Sequence, residues 1–297
     1  MTQIPSVPST SAAVRGATVS AVLLAASLLA LPAGAMAATA ERPSAPLGAG
    51  EVSVRAELTP DGAAPSAIVL RFDEASLSDL PSERNTTGRC FDIDADGAFA
   101  DGECEGDYEL RLALPPELSA RGDVPFGWVM VNWNPGGHPP GPWQIGHFDV
   151  HFYMMPEAEL DAIGLGPCGI LMDCEDFERA IVPVPPRYVH PDHVNVDAAV
   201  GGMGNHLIDS KTPELMDAKN AFTHTWVFGA YDGEIIFYEV MLTPVYMTLG
   251  QSGCHPIKQP EAWQKAGWYP TSYCIRFDTE TRAHEISLED FVLREAS

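Results

Sequence analysis

THTWVFGAYDGEIIFYEVMLT, residues 223–243, is the stretch that decides the fold. Two runs of β-branched and aromatic residues flank Asp232-Gly233, and this arrangement is the strongest short-range signal for a β-hairpin. A two-residue turn would set Trp226 opposite Glu239, so we expect Glu239 to share a face with Trp226 and His224. A carboxylate among such neighbours needs a partner, which a metal ion or a histidine would supply.

Further strands are predicted on both sides of this hairpin. They are alternating or continuous apolar runs over residues 51–58, 66–72, 107–114, 126–133, 147–154, 273–277 and 285–293. Only two short helices are predicted, and they begin at Pro156 and at Thr212. Many strands with few short helices predict a mainly β fold, a barrel-like or sandwich antiparallel sheet.

The first 37 residues match the pattern of a cleavable signal peptide. Arg15 precedes an apolar run over residues 17–32, and a small-x-small site ends at residue 37. We expect a disordered leader over 38–50, rich in Ala, Pro and Gly, and a single β-rich domain over 51–297. Because no later apolar stretch is long enough to span a bilayer, we expect an exported protein, periplasmic or extracellular, without a membrane span.

The net charge of the chain indicates which kinds of macromolecule it can bind. The formal net charge is −24, and Arg15 is the only charge in the predicted signal peptide. A surface with this negative charge repels nucleic-acid backbones and anionic membranes. We therefore do not expect a nucleic acid as partner.

The cysteines indicate a disulfide framework. There are six, an even number in a chain with an export signal. They fall into three close pairs, which we expect to bond as Cys90–Cys104, Cys168–Cys174 and Cys254–Cys274.

An acidic insert over residues 90–104 has the spacing of a calcium loop. Its sequence, CFDIDADGAFADGEC, matches the EF-hand template D-x-[DN]-x-[DN]-G-x5-E at every specified position. Ca²⁺ takes six to eight oxygen ligands. The predicted ligands are Asp92, Asp94, Asp96, the carbonyl of Ala98 and Glu103. Because the flanks are not helical, we predict a structural site closed by a disulfide; a solvated acidic loop is the alternative.

A second set of candidate ligands begins on the strand over 147–153. There His147, Asp149, His151 and Tyr153 share one face, which fits a polar pocket better than a solvent-exposed surface. Residues four apart on a strand lie roughly 13 Å apart, whereas neighbours two apart lie roughly 6.6 Å apart. We therefore expect only one of the two histidines to bind a given ion directly, unless a bulge bends the strand.

Other segments add to this set. Imidazoles with a carboxylate are ligands for zinc or a similar transition metal. The predicted ligands are His138, His147, His151, His206 and Asp209. Asp149 and Glu239 are the predicted catalytic residues, either of which would act as general base. The alternative is a set of separately hydrogen-bonded residues in a polar interior.

Five ordered blocks carry a resemblance to a known family. They are NWNPGGHPPG (132–141), HFDVHFYMM (147–155), GGMGNHLID (201–209), FGAYDGEIIFYEVM (228–241) and GWYPTSYCIRFD (267–278). In this order they resemble a bacterial family of exported β-barrel proteins catalogued as a domain of unknown function. The resemblance covers residues 50–293 and implies an oligomeric barrel-like fold with grouped histidines and acidic residues, but no established reaction.

The sequence departs from that family in two places. Val240 stands where the family usually has proline after the glutamate that Glu239 matches. The insert over 90–104 is additional, so the resemblance does not imply calcium.

These observations predict an exported metal-binding β-barrel protein with a His/Asp/Glu pocket and a structural calcium loop. Whether it is an enzyme stays open; metal-assisted hydrolysis or a cupin-like reaction would fit. Two other classes stay open as well. One is a non-catalytic homo-oligomeric envelope or stress protein. The other is a binder of a small molecule in a barrel mouth lined by Trp133, Trp143 and Tyr153.

Overall fold

The computed structural model describes residues 44–100, 102–139, 141–250 and 252–297. The predicted signal peptide and residues 38–43 of the predicted leader lie outside these ranges. In the described part of the chain there are sixteen strands, numbered in chain order: β1 Ala45–Leu47, β2 Gly50–Leu58, β3 Pro65–Asp73, β4 Tyr108–Ala113, β5 Trp128–Asn134, β6 His147–Tyr153, β7 Leu165–Cys168, β8 His193–Val200, β9 Gly204–Asp209, β10 His224–Tyr231, β11 Glu234–Leu242, β12 Gly253–Pro256, β13 Gly267–Tyr269, β14 Ser272–Asp278, β15 Ala283–Glu289 and β16 Val292–Arg294.

The helices are short and lie between strands. The α-helices are α1 Pro116–Ser119, α2 Glu157–Leu160, α3 Cys174–Ala180, α4 Pro213–Met216 and α5 Pro244–Thr248. Single 3₁₀ turns occur at Glu74–Leu77, Gly141–Trp143 and Pro186–Tyr188. Proline opens or directly precedes most of these helices, which suits its fixed φ and its missing amide donor.

The strands form two large antiparallel sheets and one small one. A six-stranded sheet has the order β1-β2-β3-β15-β14-β12, and a seven-stranded sheet has the order β4-β5-β6-β11-β10-β9-β8. Strands β13 and β16 form a separate pair. The prediction of a mainly β, sandwich-like fold is confirmed, and the described strands do not close into a barrel.

The two large sheets share one apolar core. Phe148, Val150 and Phe152 alternate along β6 and are fully buried in it. The ring of Phe148 lies 5.3 Å from that of Phe72 on the other sheet, measured between centroids. Strand alternation therefore assigns one face of β6 to the core between the sheets.

The opposite face of the seven-stranded sheet is also buried, but its composition is different. One end is covered by an apolar cluster that includes Trp128, Tyr153 and Phe237, and the other end by a cluster that includes Trp143 and Met241. The polar residues of β6 lie on this face. Because ionisable groups are costly to bury alone, these residues need partners on this face.

The hairpin of β10 and β11 forms as predicted, but its register differs. The turn keeps Tyr231 opposite Glu234, whereas a bulge between Gly229 and Ala230 shifts the pairing, so that Val227 opposes Glu239. One extra residue in one strand exchanges the faces beyond it. The expectation that Glu239 shares a face with Trp226 and His224 is therefore wrong.

Gly229, next to the bulge, has no space for a side chain. A Cβ atom on Gly229 would lie 2.1 Å from the ring of Phe237. Because glycine has no side chain, the Phe237 ring lies directly over the backbone of β10.

The three predicted disulfides are present: Cys90–Cys104, Cys168–Cys174 and Cys254–Cys274. Such bonds are typical of an oxidising compartment. Among the described residues, each helix is too short or too polar to cross a lipid bilayer.

Two expectations for irregular chain are corrected. The leader over 38–50 was expected to be disordered, but Ala45–Leu47 pairs with β2 and forms the edge of the six-stranded sheet. Similarly, β8 and β9 form an antiparallel hairpin in a region for which no strand is predicted. In both cases pairing with a neighbouring strand orders a sequence with little pattern of its own.

Candidate metal site

Three strands of the seven-stranded sheet bring the candidate ligands together. His147, Asp149 and His151 point from β6 to the polar face, and Glu239 on β11 lies directly opposite His151. His206 comes from β9, across β10, where Gly229 is its register partner. His138 joins them from the Gly/Pro loop that follows β5.

The first group of side chains is His138, His147 and Asp149. The two Nε2 atoms of His138 and His147 are 3.1 Å apart. Each Nε2 is also 3.2 Å from an oxygen of Asp149, Oδ2 for His138 and Oδ1 for His147. Asn134 donates from Nδ2 to Asp149 Oδ2 at 2.8 Å, which fixes the carboxylate.

Backbone carbonyls orient both imidazoles of this group. The Nδ1 atom of His147 is 2.7 Å from the carbonyl oxygen of Ile145, and that of His138 is 3.1 Å from the carbonyl oxygen of Pro139. Because a carbonyl only accepts, each Nδ1 is a donor, and each Nε2 is left facing Asp149, as a proton donor to it or, once deprotonated, as a metal ligand. Two imidazole nitrogens and a carboxylate thus meet at one place on the polar face.

These separations fit a bound transition-metal ion. At metal–nitrogen distances near 2.1 Å, donors on one tetrahedral or octahedral ion lie roughly 3.0–3.4 Å apart. The separation of 3.1 Å between the two Nε2 atoms and the two Nε2–oxygen separations of 3.2 Å fall in this range, with Asp149 turning a different oxygen to each imidazole.

The second group is His151, His206 and Glu239. Nε2 of His151 is 3.6 Å from Glu239 Oε1, and Nε2 of His206 is 3.8 Å from Glu239 Oε2. The Nδ1 atom of His206 donates to the carbonyl oxygen of Ala198 at 3.0 Å, so its Nε2 also presents a lone pair. One donor atom from each of the three lies within 4.8 Å of the others.

Burial and local charge shift the pKa values in the first group. Burial alone would raise the pKa of Asp149, but the charge of His147 and the hydrogen bond from His138 hold it well below its usual value. Burial would lower the pKa of His138, yet its hydrogen bond to Asp149 and the charge of Asp149 raise it. Asp149 is therefore an anion that attracts positive charge to this point.

The second group has the opposite character. Burial, followed by the neighbouring His206, lowers the pKa of His151 to about 3, and burial lowers that of His206 to about 4. Burial, together with the charge of Asp149, raises the pKa of Glu239 well above its usual value. Both imidazoles are therefore neutral at pH 7, which is the form that binds metal, and a bound cation would oppose the shift at Glu239.

A cavity of about 320 Å³ opens onto these groups. His138, Asp149 and His206 line it, and apolar side chains form much of the remaining wall: Trp143, Ile170, Leu171, Val227 and Met241. Glu105 also lines it, and its Oε1 atom is buried with no hydrogen-bond partner in the protein. Burial raises the pKa of Glu105 to about 8, against the charge of Arg89, which lowers it.

The acidic insert forms a loop beside this cavity. One carboxylate oxygen each from Asp92, Asp94 and Asp96 lies within 4.8 Å of the other two. The amide of Ala98 donates to Asp96 Oδ1 at 2.8 Å. Glu103 lies outside this group, since its two oxygens accept from backbone amides of the loop, Ile93 N at 2.8 Å and Ala100 N at 2.7 Å.

Some predicted site residues lie elsewhere. Asp209 was expected among the metal ligands, but its carboxylate pairs with Lys258 Nζ at 2.8 Å, apart from both histidine groups. Of the aromatic residues expected around a binding mouth, Trp143 lines the cavity, whereas Trp133 and Tyr153 belong to the apolar clusters on the two faces of the sheet.

Three residues at the site have no counterpart among the predicted site residues. Asn134 holds Asp149, Glu105 lines the cavity, and Arg89 ties the loop segment to the sheet. Arg89 contacts three carboxylates, those of Glu105 at 2.8 Å, Asp107 at 2.9 Å and Glu109 at 2.7 Å. The alternation of Glu105, Asp107 and Glu109 is visible in the sequence. Nothing in the sequence indicates that this segment lies against the histidine face.

The fold and the site define a class: a disulfide-bonded β-sandwich with two buried His-carboxylate groups beside a cavity. No protein-family model, curated protein or solved structure matches the chain. The family resemblance of the five sequence blocks therefore stays a prediction.

Proposed function

We propose that the protein is an exported metal-binding protein that holds a transition-metal ion, zinc or a similar one, at His138, His147 and Asp149. The observation that supports this most strongly is the approach of two imidazole Nε2 atoms to each other and to one carboxylate at 3.1–3.2 Å. A single proton would link only two of these three side chains, whereas one divalent ion would bind all three.

The residues around the ligands support the same proposal. The carbonyls that hold the two Nδ1 atoms and the amide of Asn134 are the outer contacts that orient metal ligands in proteins. His138 is 34% exposed, so this site would be reached from the cavity. A bound ion would supply Lewis-acid chemistry to a molecule there. Whether the protein is a hydrolase, a cupin-like enzyme or a metal carrier depends on that molecule.

Metal analysis of the purified mature protein tests the proposal. The wild type, isolated without chelator and dialysed against Zn²⁺, should retain at least one ion per chain, and His147→Ala should retain fewer. His190→Ala is the matched control, because His190 lies outside both groups. A wild type that retains no transition metal would overturn the proposal and favour a purely structural role for the histidines.

A calcium site in the acidic insert is the second part of the proposal. Its support is the approach of Asp92, Asp94 and Asp96, together with the hydrogen bond from Gly97 N to Asp92 Oδ2 at 2.9 Å. In this arrangement Glu103 braces the loop backbone, and Ala98 remains a predicted carbonyl ligand. Calcium should bind the wild type and be lost in Asp94→Ala, whereas Asp217→Ala, on the surface, should retain it. Equal calcium content in all three proteins would count against the site.

Small-molecule binding is a second candidate function, and the cavity supports it. Two buried polar atoms in its wall, Glu105 Oε1 and Trp143 Nε1, have no hydrogen-bond partner in the protein. A small, largely apolar molecule with one donor and one acceptor would satisfy both. Quenching of tryptophan fluorescence by such molecules should weaken in Glu105→Gln if this is correct.

Export and self-association complete the proposal. The three disulfides support an oxidising location, periplasmic or extracellular. Secretion by a bacterial host, followed by N-terminal sequencing, tests cleavage after residue 37. Light scattering of the mature protein tests the homo-oligomer, and a monomer at all concentrations would remove that part.

A further inference from the structure

We propose that His151, His206 and Glu239 hold a second transition-metal ion, separate from the one at His138, His147 and Asp149. This inference rests on the proposed function, because it assumes that the polar face is a metal face. It goes further by assigning two ions to the site.

The two groups share no ligand. His147 and His151 stand four residues apart on β6, and on an extended strand that separation is roughly 13 Å between Cα atoms. The strand is continuous over both residues, and its pairing with β5 and β11 shows no bulge. A single ion therefore cannot take both histidines, and each is paired with a different carboxylate, Asp149 or Glu239.

The separations in the second group are too long for good hydrogen bonds but short enough for one ion to reach both donors. The distances of 3.6 Å from His151 and 3.8 Å from His206 to Glu239 exceed the range of a good hydrogen bond. Two donors on one ion with metal–ligand distances near 2.1 Å lie at most roughly 4.2 Å apart. Both distances lie below that limit.

Unsatisfied polar atoms give independent support. His151 is 0% exposed, and neither of its ring nitrogens has a hydrogen-bond partner in the protein. Glu239 is 1% exposed, and its Oε2 atom also has no partner. Buried polar groups without a partner are costly, so such groups in a folded protein call for one. One ion coordinated by His151 and Glu239 would satisfy an atom of each.

The surroundings indicate how the two ions would differ. The ring of Phe237 lies 4.9 Å from that of His151 and 5.2 Å from that of His206, between centroids, so an aromatic wall shields this group. The second group meets the cavity only at His206, whose side chain is 14% exposed, whereas the first meets it at His138, which is 34% exposed. The buried ion would exchange slowly, and the cavity ion would exchange quickly.

The donor set also indicates the chemical class of ion. Two imidazoles and one carboxylate suit Zn²⁺, Co²⁺ or Cu²⁺, whereas Ca²⁺ and Mg²⁺ prefer oxygen ligands. The second ion is therefore of the same class as the first, and one probe reports on both.

Cobalt titration of the metal-free mature protein tests the inference. Excess Ca²⁺ is kept present so that the aspartate loop does not take up the probe. We expect two Co²⁺ per wild-type chain, one in His147→Ala, one in His151→Ala and none in the double variant. After addition of a chelator, the ion left in His147→Ala should leave at least tenfold more slowly than the ion left in His151→Ala.

The outcomes separate the two proposals. One Co²⁺ per wild-type chain, lost in His147→Ala and kept in His151→Ala, would overturn the second ion and leave the proposed function standing. No Co²⁺ in the wild type would overturn both. If His151→Ala does not fold, Glu239→Gln replaces it, since the amide keeps the shape and weakens the ligand. Two ions retained in Glu239→Gln, with unchanged exchange, would also overturn the inference.

Discussion

The two faces of the seven-stranded sheet are both buried, yet they are built from different residues. On β6, Phe148 and Phe152 point to the six-stranded sheet, while His147 and His151 point to the opposite face. The first face gains stability from apolar area, which depends little on direction. The second holds groups that are costly to bury without partners in defined positions. Stability and chemistry are thus separated by the two-residue period of a strand.

The largest expected effect is on the apolar face. Phe148→Ala should lower the free energy of unfolding by about 3–5 kcal/mol, because it removes a fully buried ring and leaves a cavity. Denaturant unfolding measures this change. The folded fraction of the variant should still bind its transition metal, since the strand alternation keeps Phe148 away from the ligands.

His147→Ala is the matched variant on the other face of the same strand. It should abolish the cavity-facing ion and change the stability of the metal-free protein less than Phe148→Ala does. If Phe148→Ala lost metal while folded, or if His147→Ala cost as much stability, the separation of the two faces would not hold.

The next effect concerns the attachment of the acidic segment to the polar face. Arg89→Met should destabilise the protein by about 3 kcal/mol, because it leaves Glu105, Asp107 and Glu109 close together without their cation. The control is Arg282→Met, which breaks an exposed pair with Glu74 and should change stability by less than about 1 kcal/mol. Similar unfolding free energies for both variants would contradict this role of Arg89.

A substitution at Gly229, next to the bulge, should have a smaller effect, which reaches the polar face through the Phe237 ring. Gly229→Ala should cost about 1–3 kcal/mol, since the new Cβ would lie 2.1 Å from the Phe237 ring. It should also weaken binding of the buried ion, because Phe237 packs against His151 and His206. Gly127→Ala is the control, because a Cβ there meets no atom within 4 Å. Equal effects at both glycines would show that the packing over β10 is not critical.

The smallest effect at pH 7 concerns a titratable residue next to the apolar face, whose contribution changes only as the pH falls. His224 contacts Tyr273 at 2.9 Å from Nδ1 to the hydroxyl oxygen, and burial followed by the charge of His255 lowers its pKa to about 4. Between pH 6.5 and 4 the unfolded chain binds a proton here that the folded chain does not, so stability falls as the pH falls.

Replacing His224 by phenylalanine should therefore flatten the acid side of the stability curve. The change is at most one proton, or about 1.4 kcal/mol per pH unit, and melting temperatures between pH 7 and 4 measure it. A wild type and a His224→Phe variant with parallel curves would contradict the lowered pKa.

Much of the fold followed from local sequence. Alternation and β-branched composition predicted nine of the strands, among them β6, β10 and β11. The hairpin of β8 and β9 did not follow, because its sequence is broken by asparagine, aspartate and glycine and is ordered by pairing with β10. The bulge at Gly229 was also not predictable, since it depends on where the Phe237 ring packs.

The site was predicted as a set of residue types and not as an arrangement. His138, His147, His151, His206, Asp149 and Glu239 all lie in the two groups, whereas Asp209 pairs with Lys258. Nothing in the sequence distinguishes the aspartate that faces a lysine from the one that faces an imidazole. The roles of Asn134 and Glu105 follow only from contacts between segments far apart in the chain.

The sequence by itself determined that β6 has two unlike faces and that the cysteines fall into three neighbouring pairs, because both are properties of residues close together along the chain. Only the tertiary structure decided that the histidines divide into two groups, each with its own carboxylate. The physical reason is that a strand fixes the direction of a side chain locally, whereas its partners depend on the register of neighbouring strands. The pairing of β11 with β6 places Glu239 opposite His151, and one extra residue in β11 turns it away from Trp226 on β10.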